Sequence, residues 1–199
     1  MLKKLLLVLS VGLFTSLTQA ATNDTPEQIV RNVSREVLET IKKNEKDPAK
    51  MRDQVDAQVS PLADYPRMTS LAVGMPWRTA SPEQKQALSN EFRQMLVRTY
   101  LSALTIYKNA EVDVKGVRNG STATEQTVRT EVSLPDQKPI PVDFKFEKNA
   151  NGWKVYDITV EGISFISNHR NQFKAVIQKD GIDGLIKSLS DRNAAARSK

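Results

Sequence analysis

The feature that most constrains this chain is a pair of switches in apolar spacing. Up to Tyr107 the apolar residues recur every three or four positions; from Glu111 they recur every second position; from Ile163 the longer spacing returns. The first spacing matches one face of a helix and the second matches one face of a strand. Helices, then consecutive strands with no helix between them, then helices again describe an α+β chain with an antiparallel sheet, because short turns join strands only in the antiparallel sense.

The helical parts carry their own start signals. Thr25-Pro26-Glu27-Gln28 combines a capping threonine, a first-turn proline and a glutamine able to reach back. It opens a helix with Ile29, Val33, Val37, Leu38 and Ile41 on one face. Asp47-Pro48 opens a second helix with Met51, Val55 and Val59 inward, and Met68 to Val73 forms a short apolar helix or turn before Gly74-Met75-Pro76. Ser81-Pro82-Glu83-Gln84 repeats the capping pattern and starts the longest helix, whose stripe is Leu88, Phe92, Met95, Leu96, Tyr100, Ala103, Leu104 and Tyr107.

In the strand region Val112 and Val114 lie on a first strand; Gln126, Val128, Thr130, Val132 and Leu134 share a face of a second; Ile140, Val142, Phe144 and Phe146 share a face of a third. Asn149-Ala150-Asn151-Gly152 reads as a hairpin turn. On the fourth strand the phase slips after Val155, since Tyr156, Ile158 and Val160 now alternate with charged and polar residues. A one-residue slip exchanges the faces, so a bulge is expected near Val155-Tyr156. Bulges bend sheets, and a bent sheet wrapped around a long apolar helix encloses a concavity. After the sheet, Ile163, Ile166, Arg170, Phe173, Val176 and Ile177 share a helical face, Gly181 interrupts, and Ile182, Leu185, Ile186 and Leu189 follow; the polar residues from Arg192 are expected to fray. The fold expected is therefore α+β, a curved antiparallel sheet of about four strands packed on several helices around an internal hydrophobic pocket.

Residues 1–20 read as a cleavable export signal, with an uncleaved membrane anchor as the alternative reading. Lys3 and Lys4 precede the apolar run Leu5–Leu17, and Thr18 and Ala20 place small residues before a cut at Ala21. The expected division is residues 1–20 as signal peptide and 21–199 as one domain, in the periplasm. Loss of Lys3 and Lys4 lowers the charge from +6 to +4. The absence of cysteine removes disulfides and a lipidation site. No basic run with interleaved aromatics is present, so nucleic acid is not expected.

The chemistry of catalysis is sparse. His169 is the only histidine and, among Asn168, Arg170 and Asn171, reads as a surface residue. Without cysteine, a zinc or haem site would need carboxylates alone, and no metal-loop spacing occurs, so no metal or cofactor is expected. Gly162-Ile163-Ser164-Phe165-Ile166 lacks the second glycine of a nucleophile elbow. Asp143 and Asp157 each lie on the apparent polar face of a strand.

Certain segments carry a resemblance. Gly152-Trp153-Lys154-Val155-Tyr156-Asp157-Ile158 followed by Val160-Glu161-Gly162-Ile163-Ser164 is similar to the signature region of the MlaC, or toluene-tolerance, family. Gly181-Ile182-Asp183-Gly184-Leu185 resembles the family's C-terminal motif, and Ala80–Gln84 through Phe92 and Tyr100 resembles its long helix. The resemblance implies a cystatin- or NTF2-like cone and a non-enzymatic carrier whose cargo is phospholipid; oligomeric state stays open, with a monomer the default for such a shuttle. It implies docking on an outer-membrane lipoprotein–porin complex and on the substrate-binding ring of an inner-membrane ABC transporter. The residues expected to line the pocket are Leu96, Tyr100, Leu104, Val128, Val132, Phe144, Phe146, Tyr156, Ile158, Val160, Ile163, Ile166, Phe173 and Ile177. Two other readings stand beside this one: an isomerase on the same cone using a buried Asp143 or Asp157, and an interaction module whose apolar stripes are all filled core.

Overall fold

A computed structural model describes residues 24–101 and 104–197. The proposed signal peptide lies outside the described residues. Helix α1 spans Pro26–Lys43, α2 Pro48–Val59, α3 Tyr65–Val73, α4 Pro82–Leu101 and α5 Phe165–Arg197. Between α4 and α5 run strands β1 Glu111–Asn119, β2 Glu125–Ser133, β3 Ile140–Asn149, β4 Gly152–Val160 and the two-residue β5 Ile163–Ser164.

The capping expected at α1 is present in full. Thr25 Oγ1 accepts from the Gln28 N–H, and Gln28 Oε1 accepts from the Thr25 N–H. Ser81 and Gln84 form the same reciprocal pair at α4, and Asp47 accepts from the Lys50 N–H at α2. These contacts satisfy amides that a helix start otherwise leaves without partners.

The sheet is an antiparallel meander in the order β1-β2-β3-β4-β5. Its ladder shifts twice. Between β1 and β2 the shift falls between Val114 and Gly116, so Lys115 is the extra residue. Between β3 and β4, Lys145 pairs with Asp157 and Phe146 with Val155, which leaves Tyr156 as a bulge where the sequence phase slips. The slip lets Val155 and Ile158 share a face although three positions separate them, and both lie opposite phenylalanines of β3.

The helices pack differently from the expectation that the long helix lies against the sheet. It is α1 that packs on β1 and β2. Helix α4 is held between α3 and α5, where Leu88 and Phe92 are buried with Met68, Ala72, Phe173, Leu185 and Leu189. Its apolar stripe is spent on other helices, and only its C-terminal end reaches the sheet side.

Helix α5 changes direction at Gly181, which has φ 70° and thus takes a left-handed conformation open to glycine. The last turn is ordered by Asn193, a correction to the expected fraying. Asn193 is buried, donates to Glu91 O and Oε2 at 2.9 and 2.6 Å, and accepts from Arg98 at 2.6 Å.

Candidate functional site

The space between the helices and the curved sheet is an apolar cavity of about 460 Å³. Helix α1 supplies one wall through Ile29, Val33 and Val37, and α2 adds Val55 and Val59. The sheet supplies the opposite wall through Val132, Val142, Phe144, Phe146, Val155, Ile158 and Val160. Leu96, Val97 and Tyr100 at the end of α4, with Phe165 and Ile166 at the start of α5, close one end. Val142 lies opposite Val160, and Phe144 opposite Ile158, so cross-strand pairs present contiguous apolar rows.

Polar groups are few on these walls. Ser34, Tyr65, Tyr100, Tyr107 and Asp157 are the lining residues with polar side chains. Tyr100 stacks on Phe165 with ring centroids 4.3 Å apart and planes 11° from parallel. Burial pushes the Tyr100 hydroxyl above its ordinary pKa, and burial does the same to Tyr65.

Asp157 is the carboxylate on the wall, and its neighbours engage it fully. Lys145 Nζ lies 2.9 Å from Oδ2, Ser164 Oγ donates at 2.8 Å, and the Ile166 N–H donates to Oδ1 at 3.3 Å. Ser164 in turn accepts from the Ser167 N–H. Asp157 and Ser164 thus cap α5 together, and the negative charge faces the positive end of the helix. The polar-face expectation for Asp157 is therefore corrected: it is buried, because the start of α5 covers it.

His169 is also corrected from surface to interior. It is 7% exposed, with its ring 5.2 Å from Phe92 and 5.8 Å from Phe173. Its Nε2 lies 3.4 Å from Tyr100 Oη, and Nδ1 has no hydrogen-bond partner among the described residues. Burial lowers its pKa. The sequence held a signal for this placement: Phe165, His169 and Phe173 stand four apart and share a helical face.

Of the fourteen residues expected at the pocket, Leu96, Tyr100, Val132, Phe144, Phe146, Ile158, Val160 and Ile166 line the cavity. Five do not. Val128 is filled core with Ile29, Val30 and Val114. Phe173 and Ile177 pack into the helical core. Tyr156 is the bulged residue and lies beneath the Arg67 guanidinium, 5.8 Å from its ring centroid. Ile163 is 65% exposed, because the Glu161-Gly162 turn delays the helix and puts Ile163 in β5 against Val160. The Leu104 side chain lies outside the described residues.

The α1 and α2 walls were missed from the sequence. Their apolar faces are legible, but nothing local says that they look across a gap at the sheet. Among the described residues no group of three or more His, Asp or Glu could hold a metal ion, and no helix is long and apolar enough to cross a membrane.

The chain is similar to known proteins over most of its length. It is 28% identical over 187 residues to the toluene tolerance protein ttg2D of Pseudomonas putida, covering 92% of this chain and 85% of that protein. It is 25% identical over 189 residues to the intermembrane phospholipid transport system binding protein MlaC of Haemophilus influenzae, covering 92% and 87%. A solved structure of a phospholipid-binding protein from Ralstonia solanacearum in complex with a phospholipid superposes with a TM-score of 0.72. The two are 36% identical, and the match covers 84% of this chain and 96% of that one. The model of the MlaC protein family matches residues 31–191, and the chain belongs to that family.

Proposed function

We propose that this chain is a periplasmic phospholipid carrier, not an enzyme, that shelters the acyl chains of its cargo in the cavity between α1, α2 and the sheet. The observation that carries this reading is the chemistry of the walls: aliphatic and aromatic side chains throughout, with one carboxylate already paired to Lys145. Burying a methylene contributes about 0.8 kcal/mol, so two tails of about fifteen methylenes each would cost on the order of 20 kcal/mol to strand in water. A carrier has to offset most of that, which requires a deep apolar space with few polar groups. Relatives named for phospholipid binding and phospholipid transport support the same cargo.

Family membership and the export signal read from residues 1–20 support the wider role. The carrier would receive and deliver lipid at an outer-membrane lipoprotein–porin complex and at the substrate-binding ring of an inner-membrane ABC transporter, and so maintain outer-membrane lipid asymmetry.

The geometry disfavours the two rivals. A filled-core interaction module has no use for a cavity of about 460 Å³. An isomerase would need Asp143 or Asp157 free at the cavity to take a proton from substrate, whereas Asp143 is not among the lining residues and the oxygens of Asp157 are occupied by Lys145, Ser164 and the Ile166 amide.

The test is a loading experiment. Delipidated protein is incubated with phospholipid vesicles, separated from them, and assayed for phospholipid phosphorus. Stoichiometric phosphorus in the protein fraction is the expected result. A protein fraction that stays free of phosphorus after repeated incubation would overturn the reading.

A further inference from the structure

The turn between α1 and α2 carries a concentration of positive charge that local stability explains only in part. Lys42, Lys43, Lys46 and Lys50 are all exposed, and together they rim a surface depression of about 320 Å³. Two acids share that depression, and both are engaged. Glu45 is ion-paired with Lys108, and Asp47 accepts the Lys50 N–H as the cap of α2. Among the described residues none of the four lysines forms an ion pair.

Lys42 and Lys43 suit the negative end of α1. Lys50 does the opposite: it stands in the first turn of α2, where the helix end is positive, and no acid joins it within that turn. Helices α1 and α4 follow the ordinary pattern, with Glu27 and Glu83 in their first turns. The cluster is also firmly built. Asn44, buried beneath it, donates to Thr40 O and Gln54 Oε1 at 2.8 Å each and holds the turn in one shape.

An apolar residue stands beside these charges. The Glu45–Lys108 pair ties the turn to the 3₁₀ segment Leu104–Tyr107, where Ile106 is 66% exposed. Its neighbour Tyr107 lines the cavity, as does Ile41 immediately before Lys42. Exposed cations on the turn and an exposed aliphatic side chain on the segment tied to it match a bilayer interface, where lysines meet lipid phosphates and the aliphatic group enters the acyl boundary.

We infer that the α1–α2 turn, with Ile106, is a docking surface for an anionic phospholipid bilayer, so that the protein touches membrane directly at one end of its cavity. Contact with the bilayer is separate from cargo binding, and either can fail without the other.

The experiment is flotation of the purified protein with phosphatidylglycerol-containing vesicles and with pure phosphatidylcholine vesicles, at low and high salt. The wild type should float with the anionic vesicles at low salt and be released by high salt. Changing Lys42, Lys43, Lys46 and Lys50 to Gln should weaken that binding about ten-fold or more. A control with the same charge loss at exposed, scattered positions, changing Lys138, Lys174, Lys179 and Arg192 to Gln, should stay within about two-fold of wild type. Ile106→Ser should weaken binding while leaving its salt dependence in place. Equal loss in the two charge variants would reduce the effect to net charge and overturn the inference. A wild type that ignores anionic vesicles would also overturn it, and would assign the lysines to an acidic protein surface instead. Phosphorus retained by each variant reads cargo loading separately.

Discussion

The carboxylate of Asp157 lies 2.9 Å from the ammonium of Lys145 on the neighbouring strand, and it also accepts from the first turn of α5. One side chain thus joins β3, β4 and α5 at the cavity wall. The Asp157 side chain is 6% exposed and that of Lys145 33% exposed, so Lys145 can turn to solvent when its partner is removed, whereas the α5 amide cannot. Asp157→Ala should therefore destabilise the fold by about 2–4 kcal/mol. Asp157→Asn, which keeps an acceptor for Ile166, should cost clearly less. Urea denaturation of both variants measures this; equal losses would remove the capping role.

Both phenylalanines of β3 line the cavity, but they should differ in how much of each ring is packed core. Phe146 is fully buried among Ile29, Val30, Val114 and Val128, while Phe144 is half-buried on the same face. Phe146→Ala should cost about 3–5 kcal/mol. Phe144→Ala should cost less than half of that, because its ring borders space that is already open, and should mainly alter lipid loading. Denaturation and phosphorus assays on both variants give the comparison.

A charge on the cavity wall should stop loading before it stops folding. Ile158 lines the cavity opposite Phe144. Ile158→Glu should lower retained phospholipid by about ten-fold or more, since an ionised carboxylate beside acyl chains loses its hydration without a partner. Thermal unfolding of the empty variant should stay near wild type, because water can reach the carboxylate there. Lipid loss only in step with unfolding would mean that position 158 is ordinary core.

Much of this arrangement is legible in the residues and some is not. The Thr25–Gln28 and Ser81–Gln84 boxes, the break at Gly181 and the bulge at Tyr156 are local, and their local signals place them correctly. Eight of the expected wall residues follow from strand alternation and helix periodicity. What local pattern cannot supply is which face meets which. The stripe of α4 is visible, yet its partners are α3 and α5, while α1 covers the sheet. Ile163 fits a helical face by spacing alone, but the positive φ of Glu161 and Gly162 makes a turn first and leaves it exposed. His169 and Asp157 were hidden for one shared reason. Polar neighbours in sequence suggested solvent, and a packed helix supplied burial.

His169 gives the stability a readable pH dependence. Burial lowers its folded pKa below the ordinary value of about 6.5. The unfolded chain then binds a proton before the folded one does, so stability contributed by the neutral ring is present above about pH 6.5 and is lost as pH falls from there toward the folded pKa. Because it is the only histidine, no other side chain has its ordinary pKa in that window. Thermal unfolding between pH 7 and 5 should show Tm falling for wild type and a flatter profile for His169→Phe. Parallel profiles would assign the effect to other groups.

The C-terminal turn should matter to stability despite its polar sequence. Asn193→Ala removes the group that pairs with Glu91 and Arg98 in a buried setting, and should cost about 2 kcal/mol. Denaturation by urea checks this, and a loss near zero would return the tail to a frayed end.

The central claim is that the cavity holds phospholipid, and native mass spectrometry of the protein purified from its own host tests it most directly. The account predicts a stoichiometric mass adduct that organic extraction releases as phospholipid and that Ile158→Glu lacks. A wild-type protein that carries no adduct as purified, and gains none after incubation with phospholipid vesicles, would contradict it.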